Sequence, residues 1–411
     1  MGYETPMEQH HIIRLGHQGD GIAEGPLFAP LTLPDEIVTG IVDGKTLRDV
    51  KIVTPSEFRV KPPCPHFKSC GGCQLMHASD DFVARWKVDV VRAAMAAHGL
   101  NTQMRACLTS PARSRRRAAF SGRRTKKGAT VGFHARGSDT IVEIPNCVLL
   151  TEDLKSVLPV LTELTRAVAS RKGELTLTVT SSANGLDIAV SGGRALDGEL
   201  QVQLGQFCEA HGLARLSWND ETIAMRHPPA QMFGSAQVTP PAGSFLQATR
   251  EGERDLVEAV KSIVGLAEQI VDLFSGCGTF SLSLAQTAEV HAVEGSADMI
   301  AALDQGWRRA SGMKRVTTEA RDLFRRPLLS DELNKFDAAV IDPPRAGAEA
   351  QIAQLVKSNV KTIAYVSCNP TTFARDAAAL VSAGFCLDFV QTVDQFRWSS
   401  HVELVASFTK S

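Results

Sequence analysis

The sequence predicts an α/β protein whose last third, 236–411, is a doubly wound, Rossmann-like parallel sheet ending in an antiparallel strand pair. A small OB-like barrel (1–61) and a mixed α+β unit (62–235) are expected ahead of it. Three observations carry this reading. From 270 onward, short apolar strand-like runs alternate with helical stretches, the pattern of a parallel sheet with crossover helices. Between 10 and 60, β-prone runs are broken repeatedly by Gly and Pro, as in small barrels. Between these lies the rigid break Pro62-Pro63-Cys64-Pro65, a plausible boundary.

The elements follow in order. Runs at 12–16, 19–23, 27–30 and 36–42 suggest a barrel of five short strands. The stretch 79–98 reads as a helix, because Phe82, Trp86, Val90 and Ala93 share one face at three- and four-residue steps. Strands are expected within 114–147, at 130–134 and 140–144. A helix is expected at 154–171 and a strand pair at 174–180 and 185–191. In the α/β part, strands are expected at 270–274, 290–294, 316–322, 338–342 and 362–367. The runs 387–393 and 402–408 form the antiparallel pair.

Length and composition bound the function. A chain of 411 residues allows two to three domains with real cores. The start carries no basic segment followed by an apolar run, and no stretch approaches the roughly 20 apolar residues of a membrane helix. The expected compartment is the cytoplasm, with no membrane partner. Nine cysteines, three of them within ten residues, suggest metal ligation plus isolated thiols rather than a disulfide framework. The net charge is −1, yet 113–127 holds eight basic residues and no acid. Taking those eight from −1 leaves about −9 elsewhere. One positive strip on an acidic protein is the footprint of a phosphate-binding surface.

Ligands of open α/β sheets bind at the carboxyl ends of the strands. Here those ends carry Asp272, Glu294, Asp322 and Asp342. The first turn, Asp272-Leu273-Phe274-Ser275-Gly276-Cys277-Gly278, has two glycines for a tight approach. It lacks a third glycine and any Lys or Arg, which disfavours pyrophosphate. An acidic site suits a cofactor with ribose and an amino group but no phosphate, as in S-adenosyl-L-methionine. Cys368 ends the fifth strand in Tyr365-Val366-Ser367-Cys368-Asn369-Pro370, beside this site, where a thiol is placed for nucleophilic chemistry. Such a thiol suits methylation of uracil C5, a carbon too weakly nucleophilic until a thiolate adds at C6. A base must then remove the C5 proton, and Glu403 is the candidate. Cys107, Cys208, Cys277 and Cys386 read as ordinary thiols. Cys64, Cys70 and Cys73, with remote Cys147, allow either zinc or an iron–sulfur cluster.

These residues resemble the RNA uracil-5-methyltransferases, specifically the iron–sulfur branch that modifies 23S ribosomal RNA. Residues 10–60, with Leu33-Pro34-Asp35-Glu36, are similar to a TRAM domain. Cys64-x5-Cys70-Gly-Gly-Cys73 with Cys147 is similar to a [4Fe–4S] ligand set. Phe245-Leu246-Gln247, Asp342-Pro-Pro-Arg345, Ser367-Cys368-Asn369-Pro370 and His401-Val402-Glu403 match the family's signatures. The resemblance implies a class I methyltransferase domain with Cys368 as nucleophile, Glu403 as base and Asp342 orienting the uracil. It places Gln247, Glu294 and Asp322 at the cofactor, joining Asp272, Phe274, Gly276, Gly278 and Asp342 of the first turn and strand ends. The implied partner is RNA, 23S rRNA ahead of tRNA, with no obligate protein partner and a monomeric enzyme. The base must be flipped out of its stack. Arg115, Arg116, Arg117, Arg123, Arg124, Lys126 and Lys127 would hold the backbone. Phe133, Phe120 and His134 would offer stacking faces. A non-catalytic iron–sulfur RNA-binding protein is the rival reading; it leaves Cys368 and Glu403 without purpose.

Overall fold

A computed structural model describes residues 8–410; the first seven residues of the expected 1–61 unit and Ser411 lie outside it. Strands Gln9–Leu15, Gly21–Ala23, Leu27–Ala29, Ile37–Asp43 and Thr46–Thr54 close into a barrel, with the fifth between the third and fourth. Its core is Ile12, Ala23, Leu27, Ala29, Val38 and Leu47. The chain crosses itself closely at Gly21, where a Cβ would lie 2.0 Å from the Thr32 hydroxyl. The Leu33–Glu36 turn is pinned by the buried Glu36 carboxylate, which accepts from the Leu33 amide (2.8 Å) and pairs with Arg59.

The middle of the chain forms a seven-stranded sheet. Its order is Glu221–Met225, Arg215–Trp218, Gly185–Ser191, Glu174–Ser182, Arg117–Arg124, Ala129–His134, Ile141–Val142. The helix expected at 154–171 is two helices, Glu152–Ser156 and Leu158–Val168, broken at Val157. Pro159 lies in the first turn of the second, where a residue without an amide hydrogen is tolerated. The sequence reading missed helix Gly198–Ala210, whose cap Asp197 accepts from the Leu200 amide at 2.8 Å.

The C-terminal sheet has eight strands. Val316–Ala320, Glu289–Glu294, Gln269–Leu273, Ala338–Ile341 and Thr362–Ser367 run parallel in that order. Strand order therefore reverses between Gln269–Leu273 and Ala338–Ile341, the switch point where such sheets bind ligands. Glu403–Thr409 and Cys386–Asp394 add the expected antiparallel pair. The eighth strand was not anticipated. Gln103–Thr109 pairs in parallel with Cys386–Asp394, and the helix before it, Asp80–Ala96, buries Val91 and Met95 against Phe373, Leu404 and Phe408. The segment 80–109, expected in the middle unit, thus packs with the C-terminal sheet. Among the described residues no helix is long and apolar enough to cross a membrane.

The basic strip is not one surface. In strand Arg117–Arg124 and the residues before it, side chains alternate between faces, so Arg116, Ala118, Phe120 and Gly122 are buried. Arg116 is 4% exposed; it pairs with Glu253 at 2.6 Å and donates to the Gln247 carbonyl at 3.2 Å. Its expected place on a phosphate-binding face is therefore wrong. Phe120, 1% exposed, is core and no stacking platform; Phe133 stacks on it at 5.2 Å. Arg115 lies over the Phe396 ring, Arg117 donates to the Gly243 carbonyl, and Arg123 pairs with Glu174. Arg124, Lys126 and Lys127, at the hairpin tip, are exposed. Arg116→Ala should cost about 3–5 kcal/mol in chemical denaturation, because it strands the Glu253 carboxylate. Arg124→Ala should change stability by under about 0.5 kcal/mol.

Candidate active site

The strand Gln269–Leu273 delivers Asp272 fully buried at the switch point. Ser281 donates one hydrogen bond to its carboxylate, and Asp272 Oδ1 has no partner among the described residues. Burial pushes Asp272 up to about 7. The turn that follows needs left-handed backbone at Phe274 (φ 64°), Gly276 (φ 55°) and Gly278 (φ 95°). A Cβ at Gly276 would meet nothing within 4 Å, whereas one at Gly278 would press on Leu303. Gly276 thus faces open space, where a ligand can approach the backbone. The Gly276 and Ser296 amides each donate to one oxygen of Glu294, at 3.1 and 3.0 Å, which aims the carboxylate. Asp322 accepts from the Phe324 amide at 3.0 Å, and the Phe324 ring meets Phe274 at 5.4 Å. Gln247 is buried and accepts from Gln395 at 2.5 Å.

The nucleophile candidate sits one residue beyond strand Thr362–Ser367. Asn369 caps helix Pro370–Ser382, accepting from the Thr371 amide at 3.1 Å. The Asn369 side chain (2.9 Å) and the Thr372 hydroxyl (3.1 Å) both donate to the Arg345 carbonyl. The Arg345 guanidinium meets His401 Nδ1 at 3.3 Å. Three loops, at 342–345, 367–372 and 399–403, are stitched together in this way, and they bring Asp342, Cys368 and Glu403 to one end of the sheet. The sequence marked the Asp-Pro-Pro-Arg and His-Val-Glu runs, but not that Arg345 and His401 lock them together.

The three groups also act on one another electrically. Burial pushes the Cys368 thiol up to about 11, with Glu403 and Asp342 adding to the rise. Burial likewise lifts Glu403, 5% exposed, to about 8, with Asp342 adding and Lys87, Arg345 and Gln395 opposing. Asp342 is raised to about 7 by burial, then by Asp272 and Glu294. Asp342 therefore feels the cofactor-side acids, while Cys368 and Glu403 feel Asp342. A dry site crowded with like charge favours neutral acids and a neutral thiol until a cation enters. Cys368 opens onto a cleft of about 1020 Å³ between the barrel, helix Asp80–Ala96 and these loops; Arg14, His17, Arg85, Arg345 and His401 are among its walls.

One residue was missed altogether. Lys87 is fully buried and donates to Asp394 at 2.6 Å and to the Phe396 carbonyl at 3.2 Å. Its signal was present: Val83, Lys87, Val91 and Met95 recur every four residues on the buried face of one helix.

Cys64, Cys70, Cys73 and Cys147 line a second cavity, of about 330 Å³, with Arg115 and Phe133. Burial and the neighbouring thiols push Cys73 up to about 12. The Gly72 amide donates to Cys70 Sγ at 3.4 Å, and backbone amides of Leu149 and Leu150 reach Cys147. Among the described residues, no group of three or more His, Cys, Asp or Glu is disposed to hold a metal ion.

Comparison with known proteins gives the family. The fold matches that of the Pyrococcus abyssi tRNA (uracil-54, C5)-methyltransferase solved with S-adenosyl-L-homocysteine. The TM-score is 0.77 at 21% identity, over 97% of this chain and 99% of that one. Residues 237–410 match the family model described as tRNA (Uracil-5-)-methyltransferase. An RNA methyltransferase of Rhizobium meliloti is 43% identical over 97% of this chain and 98% of its own length. The 23S rRNA (uracil(1939)-C(5))-methyltransferase RlmD of Shewanella piezotolerans is 31% identical, over 97% of this chain and 94% of its own. With a Rossmann-like sheet, a closed barrel and these relatives along nearly its whole length, the chain belongs to the RNA uracil-5-methyltransferase family and is an S-adenosylmethionine-dependent RNA methyltransferase.

Proposed function

We propose that this enzyme methylates C5 of a uridine in 23S ribosomal RNA through a covalent bond between Cys368 and C6 of the base. The observation that carries the reading is the delivery of Asp342, Cys368 and Glu403 to one end of three adjacent strands, with Cys368 on the wall of the cleft. Asp272, Phe274, Gly276, Gly278, Glu294 and Asp322 line the switch point where S-adenosyl-L-methionine would bind; Gln247 supports this rim. The cofactor supplies an electrophilic methyl group and a positive sulfonium charge. Beside a positive charge, Cys368 and the three raised acids release their protons more readily.

The Cys368 thiol gives up its proton to water in the cleft and its sulfur bonds to C6. The electron pair of the C5–C6 double bond moves onto C5 and the O4 carbonyl. C5 would then take the methyl group as the methyl–sulfonium bond breaks, that bond's electron pair staying on the departing thioether sulfur, while Asp342 holds the ring edge. Glu403 takes the C5 proton; the freed pair reforms the double bond and the C6–S bond breaks, returning a thiolate. The RNA reading rests on the cleft walls Arg14 and Arg85 and on the exposed tip Arg124, Lys126 and Lys127. The ribosomal target is supported by the Shewanella relative. A transfer-RNA target is the second reading, favoured by the family model's description.

We read the cysteine cavity as the seat of a [4Fe–4S] cluster. Four thiols border one space of about 330 Å³. A cubane has the size and the four-thiolate demand to match. Cys64, Cys70, Cys73 and Cys147 would be its ligands, and its role would be to fasten 64–73 to the central sheet. Methyl transfer draws nothing from it.

Three outcomes are expected. Glu403→Gln should accumulate a covalent protein–RNA adduct that survives denaturing gels; clean turnover by that variant would reject Glu403 as the base. Protein purified without oxygen should be brown, with about four irons per chain; stoichiometric zinc would overturn the cluster. Replacing Arg124, Lys126 and Lys127 together by Ala should flatten the dependence of RNA affinity on salt by about 2–3 in logarithmic slope. An unchanged slope would take that hairpin off the RNA.

A further inference from the structure

We propose that Lys87, which reaches the active site from helix Asp80–Ala96, is a positioning residue. It fixes the turn after strand Cys386–Asp394 and keeps a positive charge behind Glu403 while that carboxylate takes the C5 proton. The proposal rests on the covalent reading above.

Four observations carry it. First, Lys87 is completely buried. A buried ion pair gives little stability over well-packed apolar residues of like volume, so packing alone does not account for a charge here. Second, Lys87 holds both ends of a short turn: its ammonium donates to Asp394 and to the Phe396 carbonyl, and Asp394 also accepts from the Phe396 amide at 3.0 Å. Third, the residue inside that turn, Gln395, faces the site. It donates to Gln247 and accepts from the Ala248 amide at 2.7 Å, and its side chain favours the ionised form of Glu403. Fourth, Val393 is the cross-strand partner of Glu403, so Asp394 lies beside the base. Glu403 and Lys87 act on one another in the expected sense: the lysine favours the carboxylate and the carboxylate favours the ammonium.

The other charges around Glu403 make this cation matter. Asp342 and Cys368 face Glu403 from the neighbouring strand ends, and both oppose its ionisation when charged. Arg345, from the loop after Ala338–Ile341, is the second cation, but its guanidinium lies against His401 at the cleft. Cys107, on strand Gln103–Thr109, and Asp394 face Lys87. Lys87 is thus the dry cation and Arg345 the wet one. This also gives a reason for segment 80–109 to be built into the catalytic sheet: it brings the charge with it.

The sign of the effect follows. Glu403 must be ionised to act as base, so adduct breakdown accelerates as pH rises through its titration. Without Lys87 the carboxylate ionises later, and the accelerating limb moves to higher pH. The test is rapid-quench measurement of adduct decay against pH, because Cys368 is already bonded then and its own titration drops out. Lys87→Met should slow decay about tenfold at neutral pH, with recovery about one pH unit higher, while the KM values for RNA and S-adenosyl-L-methionine stay within about twofold. Lys87→Gln, which removes the charge but keeps a donor for Asp394 and the Phe396 carbonyl, should move the limb the same way and is the readout if the first variant does not fold. A slowing equal at every pH, or an unmoved limb in whichever variant folds, would overturn the proposal. If 5-methyluridine forms while no adduct appears in any of these proteins or in Glu403→Gln, the covalent reading fails instead, and this inference with it.

Discussion

The structure depends on keeping acids and a thiol together where water is scarce. Parallel strands deliver Asp272, Asp342 and Cys368 to one end of the sheet, and the antiparallel return delivers Glu403. Each is held in a less ionised form than it would have in solution, chiefly because it is buried. That arrangement costs stability when the site is empty. On the proposed mechanism it would also make the site receptive to a sulfonium cation and tie the readiness of the thiol and the base to occupancy of the cofactor pocket.

Such a pocket requires rigid walls, and much of the remaining architecture supplies them. The Asn369 and Thr372 bonds to the Arg345 carbonyl fix the distance between two strand-end loops. The buried Arg116–Glu253 pair and the Arg116 bond to the Gln247 carbonyl tie the central sheet to the cofactor side. Gln74 and Leu75 donate backbone hydrogen bonds to the Trp398 carbonyl at 2.8 and 2.9 Å, tying the cysteine segment to the loop before Glu403. What looks like an accessory region is thereby part of the catalytic frame.

The sequence made the strand-end placement legible because sheet geometry is simple. Strand ends cluster, so Asp272, Glu294, Asp322, Asp342 and Cys368 could be placed from the order of apolar runs alone. The barrel was legible from its Gly and Pro breaks. Polar residues on buried faces were not. Arg116 and Lys87 look like surface charges until strand alternation or helix periodicity assigns them inward, and even then their partners, Glu253 and Asp394, lie 137 and 307 residues away. Strand Gln103–Thr109 escaped notice because it is an edge strand with much of its length exposed, and it lacks the apolar run that marked the others. Cys64, Cys70 and Cys73 could be grouped from spacing, and remote Cys147 only through the family resemblance; what they hold is a matter of cavity size and chemistry.

The most direct test of the central claim is chemical trapping at C5. RNA carrying 5-fluorouridine at the target position offers Cys368 the same C6 but gives the base no C5 proton to remove after methylation. Incubation with S-adenosyl-L-methionine, digestion and mass spectrometry should find a methylated fluoropyrimidine nucleotide attached to Cys368 and to no other cysteine. Attachment at a different residue, or efficient methylation of ordinary substrate by an enzyme that never captures the fluorinated one, would contradict the account.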